Sequence, residues 1–529
     1  MITFAQSPSS TTPGADSRAL WLVFFALWLT LLFDSAITAA VPAANEPHYL
    51  GKAKHFWDPS WCAGDLLLES SNAHAVFYFV MGSWAKWLSL PQLAWFGRTL
   101  GYGLLAWGWL RCHAALGLVR WQSWWSLLIF LALASWGNLS GEWLVGGIEG
   151  KVFSYAFLMM AFADWQCGRA SLAGLWAGLA ISFHPIAGGW AVLAGGLAAG
   201  WEWRNDRQSW RSMVGPMSLL IVAALPGLIP ALQLIFTNDP TEVRRAATYL
   251  QVYYRLAHHL DPMTFSWRGW LGYAALLIFA LLSRSFWRSL PEDRLWIRLL
   301  CWSGVFAAAG LLAGWGPRPA PNMAYYSERA QLLKFYPFRL LDVLLPLTVS
   351  MVVAGFMAHT VTWMTPPRRR TNQIIIGSIL LTIFFGGQMF RRALQSPSVF
   401  DSPEWLDVCH WVRDHASTTA LVQSPTNNPD FKWRAQRAEY VTIKDVPQDS
   451  RSIVEWNRRL LFLGKWYQDH YADGLYDNAE VRALRDETGI THILTERLGP
   501  FELAPCYTNG RFRVYDLTEL TNDEVPLSK

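Results

Sequence analysis

Of the 529 residues, 52% are hydrophobic and only 16% charged. Soluble proteins carry roughly 25% charge, so this composition indicates an integral membrane protein. The formal net charge of +5 comes from basic residues scattered through short loops, which excludes the basic stripe of a nucleic-acid binder.

Thirty-two tryptophans exceed what core packing needs. Several, including Trp57, Trp61, Trp121, Trp124, Trp125, Trp201, Trp203, Trp267 and Trp270, fall where apolar runs meet loops, as interfacial belts require. The six cysteines show no metal-ligand spacing. Cys409 and Cys506 share the terminal region and can pair only if it faces an oxidising compartment.

In chain order, Trp21 to Phe33 is the first membrane-length run. It reads as an uncleaved anchor, with a signal peptide as the alternative because Arg18 precedes it and small residues follow. A window of about 19 residues then predicts spans near 19–36, 92–111, 122–138, 152–166, 170–183, 186–200, 214–236, 268–284, 297–314, 337–358 and 373–390. The stretch 73–89 is apolar but carries Lys86 and stops near Pro91, and so reads as an interfacial or re-entrant helix, with a full span as the alternative. Loop charge supports eleven crossings. With residues 1–18 cytoplasmic, Arg111 and Arg120, Arg169, Arg204 with Arg207 and Arg211, Arg284 with Arg288, Arg294 and Arg298, and Arg368 to Arg370 all stay inside.

The expected fold class is therefore mainly α: a polytopic transmembrane helical bundle of about 11 spans over 19–392, with a large first outer loop at 37–91 and a C-terminal extracytoplasmic α/β domain at 393–520. Within that domain the pattern predicts helices at Pro403 to His415, Ser450 to Leu463 and Asn478 to Thr488. It predicts strands at Thr419 to Gln423, Ala438 to Ile443, Ile490 to Thr495 and Phe512 to Asp516. The tail 521–529 reads as disordered.

An active site facing outward must be assembled from the outer loops. Loop one contains Asn45-Glu46-Pro47-His48-Tyr49, which places Glu46 where a carboxylate can act as general base on a substrate whose lipid tail stays in the bilayer. The second outer loop supplies Glu142, Glu149 and Lys151 among glycines, either as part of the same cavity or as a solvated acidic loop. Asp34 closes the first span and His184-Pro185 breaks two tight apolar runs. Each serves either as a site residue or as an ordinary polar group at a helix boundary. Arg329, Lys334 and Arg339 are candidates to hold a phosphate, with an Arg339 to Asp342 bridge as the alternative for Arg339. No Gly-rich phosphate loop, His-Glu-x-x-His, Gly-x-Ser-x-Gly or Asp-x-Asp occurs.

Together these features resemble the GT-C superfamily of membrane glycosyltransferases. Asn45-Glu46-Pro-His-Tyr49 is similar to the Asp-Glu-x-x-Tyr element found there, with Asn in place of the first acid. The segments Gly146-Gly147-Ile-Glu149-Gly-Lys151, Phe183-His184-Pro185, Phe335 to Asp342 and Phe431-Lys432-Trp433 to Trp456 also resemble a bacterial multi-span family without an established activity. The resemblance implies transfer of a sugar from a polyprenyl-phosphate-linked donor to a glycan, lipid or protein acceptor outside the bacterial inner membrane. Glu46 would be the base, Glu142, Glu149 and Asp34 acidic partners, and His48, Lys151, His184, Arg329, Lys334 and Arg339 substrate or phosphate ligands. No cofactor is expected, and a divalent metal stays open. A transporter or flippase, or a non-catalytic envelope scaffold, are the competing readings.

Overall fold

Every one of the eleven apolar windows is occupied by a helix in the computed structural model, which describes residues 13–43, 45–118, 120–205, 210–283, 294–362, 366–394 and 398–520. The expected disordered tail, the first twelve residues and the loop arginines Arg207, Arg284 and Arg288 lie outside the described residues. The helices are α1 (Pro13–Thr38), α2 (Glu46–Trp57), α3 (Leu66–Glu69), α4 (Ala75–Gly82), α5 (Leu90–Ala115), α6 (Arg120–Ala134), α7 (Gly150–Gln166), α8 (Ala170–Phe183), α9 (Pro185–Asn205) and α10 (Val214–Ile235). They continue as α11 (Thr241–Tyr249), α12 (Ala257–Leu260), α13 (Trp267–Leu282), α14 (Arg294–Gly314), α15 (Tyr326–Leu333), α16 (Arg339–Thr362) and α17 (Pro366–Leu394).

Among the described residues, five stretches are long and apolar enough to cross a bilayer: Arg18–Thr38, Arg211–Ile235, Arg294–Gly314, Arg339–Ala358 and Thr371–Phe390. Ala170–Phe183 and Trp267–Leu282 are shorter apolar helices. The count is below eleven for a physical reason. A straight crossing takes about 20 apolar residues, whereas α6 and α7 have 15 and 17, and α5 is long enough but carries Arg98, Arg111 and His113. Residues 73–89 make only the eight-residue α4 and a four-residue 3-10 turn, too short to span.

Close helix packing rests on glycine. A Cβ on Gly174 or Gly178 of α8 would sit 2.1 or 2.4 Å from the Pro216 or Leu220 carbonyl oxygen of α10, and one on Gly227 of α10 2.1 Å from the Ser182 oxygen. Small residues at such crossings let backbones approach where no water-driven burial holds helices together. Trp201 and Trp267 are exposed as membrane-interface anchors would be, but Trp61 and Trp125 are buried, packed into the interior.

The terminal region forms α18 (Pro403–His415), β1 (Leu421–Gln423), α19 (Phe431–Ala435), β2 (Ala438–Glu439), α20 (Ser450–Asp469), α21 (Asn478–Thr488), β3 (His492–Thr495), β4 (Tyr507–Thr508) and β5 (Arg513–Asp516). The sheet order is β2-β1-β3-β5-β4, with β1 parallel to β2 and β3, and β5 antiparallel to β3 and β4. Alternation sorts side chains to two cores. Val422, Leu494 and Val514 pack with Trp405 and Phe431, whereas Ile493 and Tyr515 pack with Trp456 and Leu484. The expected strand to Ile443 ends at Glu439, because the chain turns away towards the helices. There the Lys432 ammonium meets Asp65 at 2.9 Å, Glu439 at 3.2 Å and Asp445, joining this unit to loop one. Burial and the neighbouring carboxylates push the Glu439 pKa up against the pull of Lys432.

Replacing Gly178 by Leu should wedge α8 from α10. The expected loss is about 1–3 kcal/mol, read as a lowered thermal midpoint of the detergent-solubilised chain, and an unchanged midpoint contradicts the packing described.

Candidate functional site

Loop one begins with a closed ion pair. Arg98 donates from Nε to Glu46 Oε1 at 2.8 Å and from Nη2 to Oε2 at 2.7 Å. The amides of Ala43 and Ile148 add bonds of 2.8 and 3.0 Å to the same carboxylate. Four donors fill the lone-pair sites of a carboxylate, and both side chains are fully buried. Gly147 lies directly over the acid, since a Cβ there would meet Glu46 Cγ at 2.9 Å. Glu46, expected from the sequence to be the general base, therefore has a structural place and does not line the polar cavity described next.

That cavity, of about 520 Å³, lies where the N-terminal ends of α7, α9 and α16 meet, with residues 444 and 446–448 forming part of its wall. Asn45, His48, Glu142, Glu149, Lys151, His184, Lys334 and Arg339 all line it. The sequence thus brings most of its candidates to one chamber, but besides Glu46 two more are elsewhere. Asp34 Oδ1 accepts from Gln388 Nε2 at 3.0 Å between α1 and α17. Arg329 donates to the Trp315 carbonyl at 3.0 Å.

Within the chamber, Arg339 Nε is 2.8 Å from Glu142, and Lys151 is 2.6 Å from Glu149 and 3.6 Å from Glu142. The alternative Arg339 to Asp342 bridge does not form. Asp342 instead accepts from the amides of Leu139 and Ser140 at 3.1 and 2.8 Å and from the Ser140 hydroxyl at 2.6 Å, which fixes the start of the second loop. Glu149 is the N-cap of α7. Burial raises its pKa, but Lys151 and Arg339 outweigh this, so the carboxyl is held below its ordinary value and stays ionised at neutral pH. Burial carries His74 down to about 4, so its ring is neutral. His48 faces Asp445 at 3.4 Å.

Two cations, Arg98 and Arg255, were not anticipated as site residues, whereas Lys444 lies in a basic stretch that reads equally as an anionic-ligand surface or a solvated helix face. Arg255 donates to the carbonyls of Ile443 and Lys444 at 2.6 and 3.3 Å, Lys444 donates to Asn45 Oδ1 at 2.9 Å, and both line the cavity. Arg98 was legible as an ionisable group inside an apolar run, a signal that calls for a partner. Arg255 carried no such signal, because it lies in a polar stretch.

The rest of the wall is apolar and supplied by α9 and α10, through Ile186, Trp190, Leu193, Leu228, Leu232 and Ile235. Leu193, Leu232 and Ile235 are also among the exposed large apolar side chains. A second cavity of about 430 Å³ lies along α9 at Ala191, Gly195 and Ala199, and no charged side chain lines it. Among the described residues, no group of three or more His, Cys, Asp or Glu is placed to hold a metal ion. The pair His258 and His259 is spent otherwise, with His259 Nδ1 donating to the Ser140 carbonyl at 2.5 Å.

Substituting Glu46 by Ala leaves Arg98 buried and unpaired, a change that costs about 3–5 kcal/mol. Loss of folded protein on size-exclusion chromatography is the expected result, and a stable, monodisperse variant contradicts the structural role.

A family profile described as a domain of unknown function, DUF6798, matches residues 403–462, from α18 into α20. The matched segment includes Lys432, Glu439 and the cavity residues Lys444 and Gln448. No curated protein matches the chain.

Proposed function

We propose that this chain is a membrane glycosyltransferase of GT-C type, with about eleven crossings and an extracytoplasmic site, that takes a sugar from a polyprenyl-phosphate-linked donor. The observation that carries the reading is the mixed lining of the cavity. Cations and a carboxylate pair line it together with apolar side chains of α9 and α10. An amphiphile with an anionic headgroup satisfies both.

With Glu46 closed, the base in this reading is Glu149. In the Asp-Glu-x-x-Tyr resemblance the first acid corresponds to Asn45, whose Nδ2 donates to Glu149 Oε2 at 3.4 Å. Glu149 therefore puts a carboxylate beside the position where that acid is lost. An acceptor hydroxyl oxygen attacks the anomeric carbon, and the bond from that carbon to the phosphate oxygen breaks. Its electron pair leaves on the phosphate, and the acceptor proton passes to Glu149. Cationic side chains steady the departing negative charge, an effect strengthened where water is excluded. The donor phosphate and the two carboxylates compete for Lys151 and Arg339. Donor binding loosens the ion pairs that hold Glu149 acidic, and so raises its basicity.

Glu149→Gln should lower transfer by about 10²- to 10⁴-fold, measured in membranes supplied with radiolabelled polyprenyl-phosphate hexoses and normalised to the folded, monodisperse protein present. Undiminished transfer by the variant removes Glu149 from the role, and no transfer of any hexose by the parent protein overturns the reading.

A further inference from the structure

Glu149 presents its two oxygens to partners of different kinds. Oε1 meets the Lys151 ammonium at 2.6 Å, and Oε2 accepts from Asn45 Nδ2 at 3.4 Å. The other end of the same amide takes a cation, since Lys444 Nζ donates to Asn45 Oδ1 at 2.9 Å. An ammonium can only donate and an ionised carboxylate can only accept, so the amide has one orientation, with its oxygen to Lys444 and its nitrogen to Glu149. Asn45 is thus a neutral link between a cation of the terminal unit and an acid of the cavity. A donor at one end of an amide polarises it and strengthens donation from the other.

The cation is itself held in place. Arg255 ends the π-helical turn Leu250–Arg255 and donates to the carbonyls of Ile443 and Lys444 at 2.6 and 3.3 Å. The next residue, Asp445, pairs with Lys432 and faces His48 at 3.4 Å. Residues 443–445 are therefore fastened from the helical bundle and from the terminal unit together. The other charged groups around Glu149 are Lys151 of α7 and Arg339 of α16, with Glu142 across Lys151 at 3.6 Å. His74, Tyr49, Tyr78 and Tyr336 also act on it, and all four are uncharged at neutral pH.

Resting on the reading above, we infer that Asn45 is a positioning residue for Glu149 and that Lys444 sets it. A donor phosphate competes for Lys151 and Arg339 because both are cations, whereas the Asn45 amide is neutral and its oxygen is already taken. Oε2 therefore stays tethered while Lys151 leaves Oε1. The acceptor hydroxyl proton passes to Oε1 as its oxygen bonds to the anomeric carbon, and the electron pair of the broken bond from that carbon leaves on the phosphate oxygen. Lys444 lies in the segment matched by the family profile, so that segment contributes to the setting of the acid. A hydrogen bond donated to Oε2 favours the ionised form, and without it the carboxyl keeps its proton to higher pH.

The test uses the detergent-solubilised full chain, with each variant normalised to folded, monodisperse protein. Asn45→Leu removes both bonds, Asn45→Asp turns a second carboxylate on Glu149, and Lys444→Gln removes the cation but leaves the amide. Infrared titration follows the carboxyl band that Glu149→Gln abolishes. That band should titrate at higher pH in all three variants, most of all in Asn45→Asp, because a like charge opposes ionisation. In transfer from a polyprenyl-phosphate hexose, Asn45→Leu should lower kcat by about 10- to 10²-fold, the order that a misplaced group costs, with KM for the donor unchanged. An unmoved band in Asn45→Leu and Lys444→Gln overturns the inference whatever the transfer rate. A raised donor KM with unchanged kcat in Lys444→Gln makes Lys444 a substrate ligand and overturns its part. A moved band with no transfer of any hexose by the parent protein overturns the glycosyltransferase reading and leaves the link from Lys444 through Asn45 to Glu149 standing.

Discussion

The arrangement of the chamber depends on one buried ion pair. Glu46 and Arg98 join α2 to α5 through two parallel hydrogen bonds, and the remaining lone pairs take the amides of Ala43 and Ile148. Arg98 also donates to the Ala39 carbonyl at 2.8 Å, at the end of the first span. One contact thus fixes the exit of α1, the start of α2, the middle of α5 and the loop before α7. A fork of this geometry has direction as well as strength. It sets the position of Asn45 and His48 on one side and of Glu149 on the other.

Helix placement was legible in the sequence because length and apolarity are local properties. The window at 214–236 and α10 at Val214–Ile235 differ by one residue at the C-terminal end. Asn478–Thr488 was equally legible, because Asp477 and Glu480 form a capping box and Gly489 takes the left-handed conformation that ends it. The strand from Ala438 was not, since it ends at Glu439, where the backbone is engaged by Asp65 of the distant loop one. The site divides in the same way. Glu142, Glu149, Lys151, His184, Lys334 and Arg339 share the cavity, as their places in neighbouring loops suggested. Which acid is free to act depends on partners distant in sequence. Glu46 is taken by a residue 52 positions away, and nothing in its own loop announces that.

The chamber also has an electrostatic order. Acids at the N-terminal ends of helices are stabilised as anions, and Glu149 occupies such a position at α7. Lys151 and Arg339 then screen the two carboxylates from each other, while Lys334, Arg255 and Lys444 line the same cavity. The cavity therefore combines ionised carboxylates with a surplus of positive charge, which a purely acidic or purely basic pocket does not provide.

The two-residue strand β2 is the outermost of its sheet, and its exposed edge would ordinarily offer unpaired backbone groups to another chain. The Glu439 amide is instead bonded to Asp65 of loop one at 3.1 Å. The opposite edge, β4, is also only two residues long. Lateral extension of the sheet is thereby blocked on one side by the chain itself and limited on the other by brevity, so self-association through strand addition has little template, and contacts between copies would have to use helices.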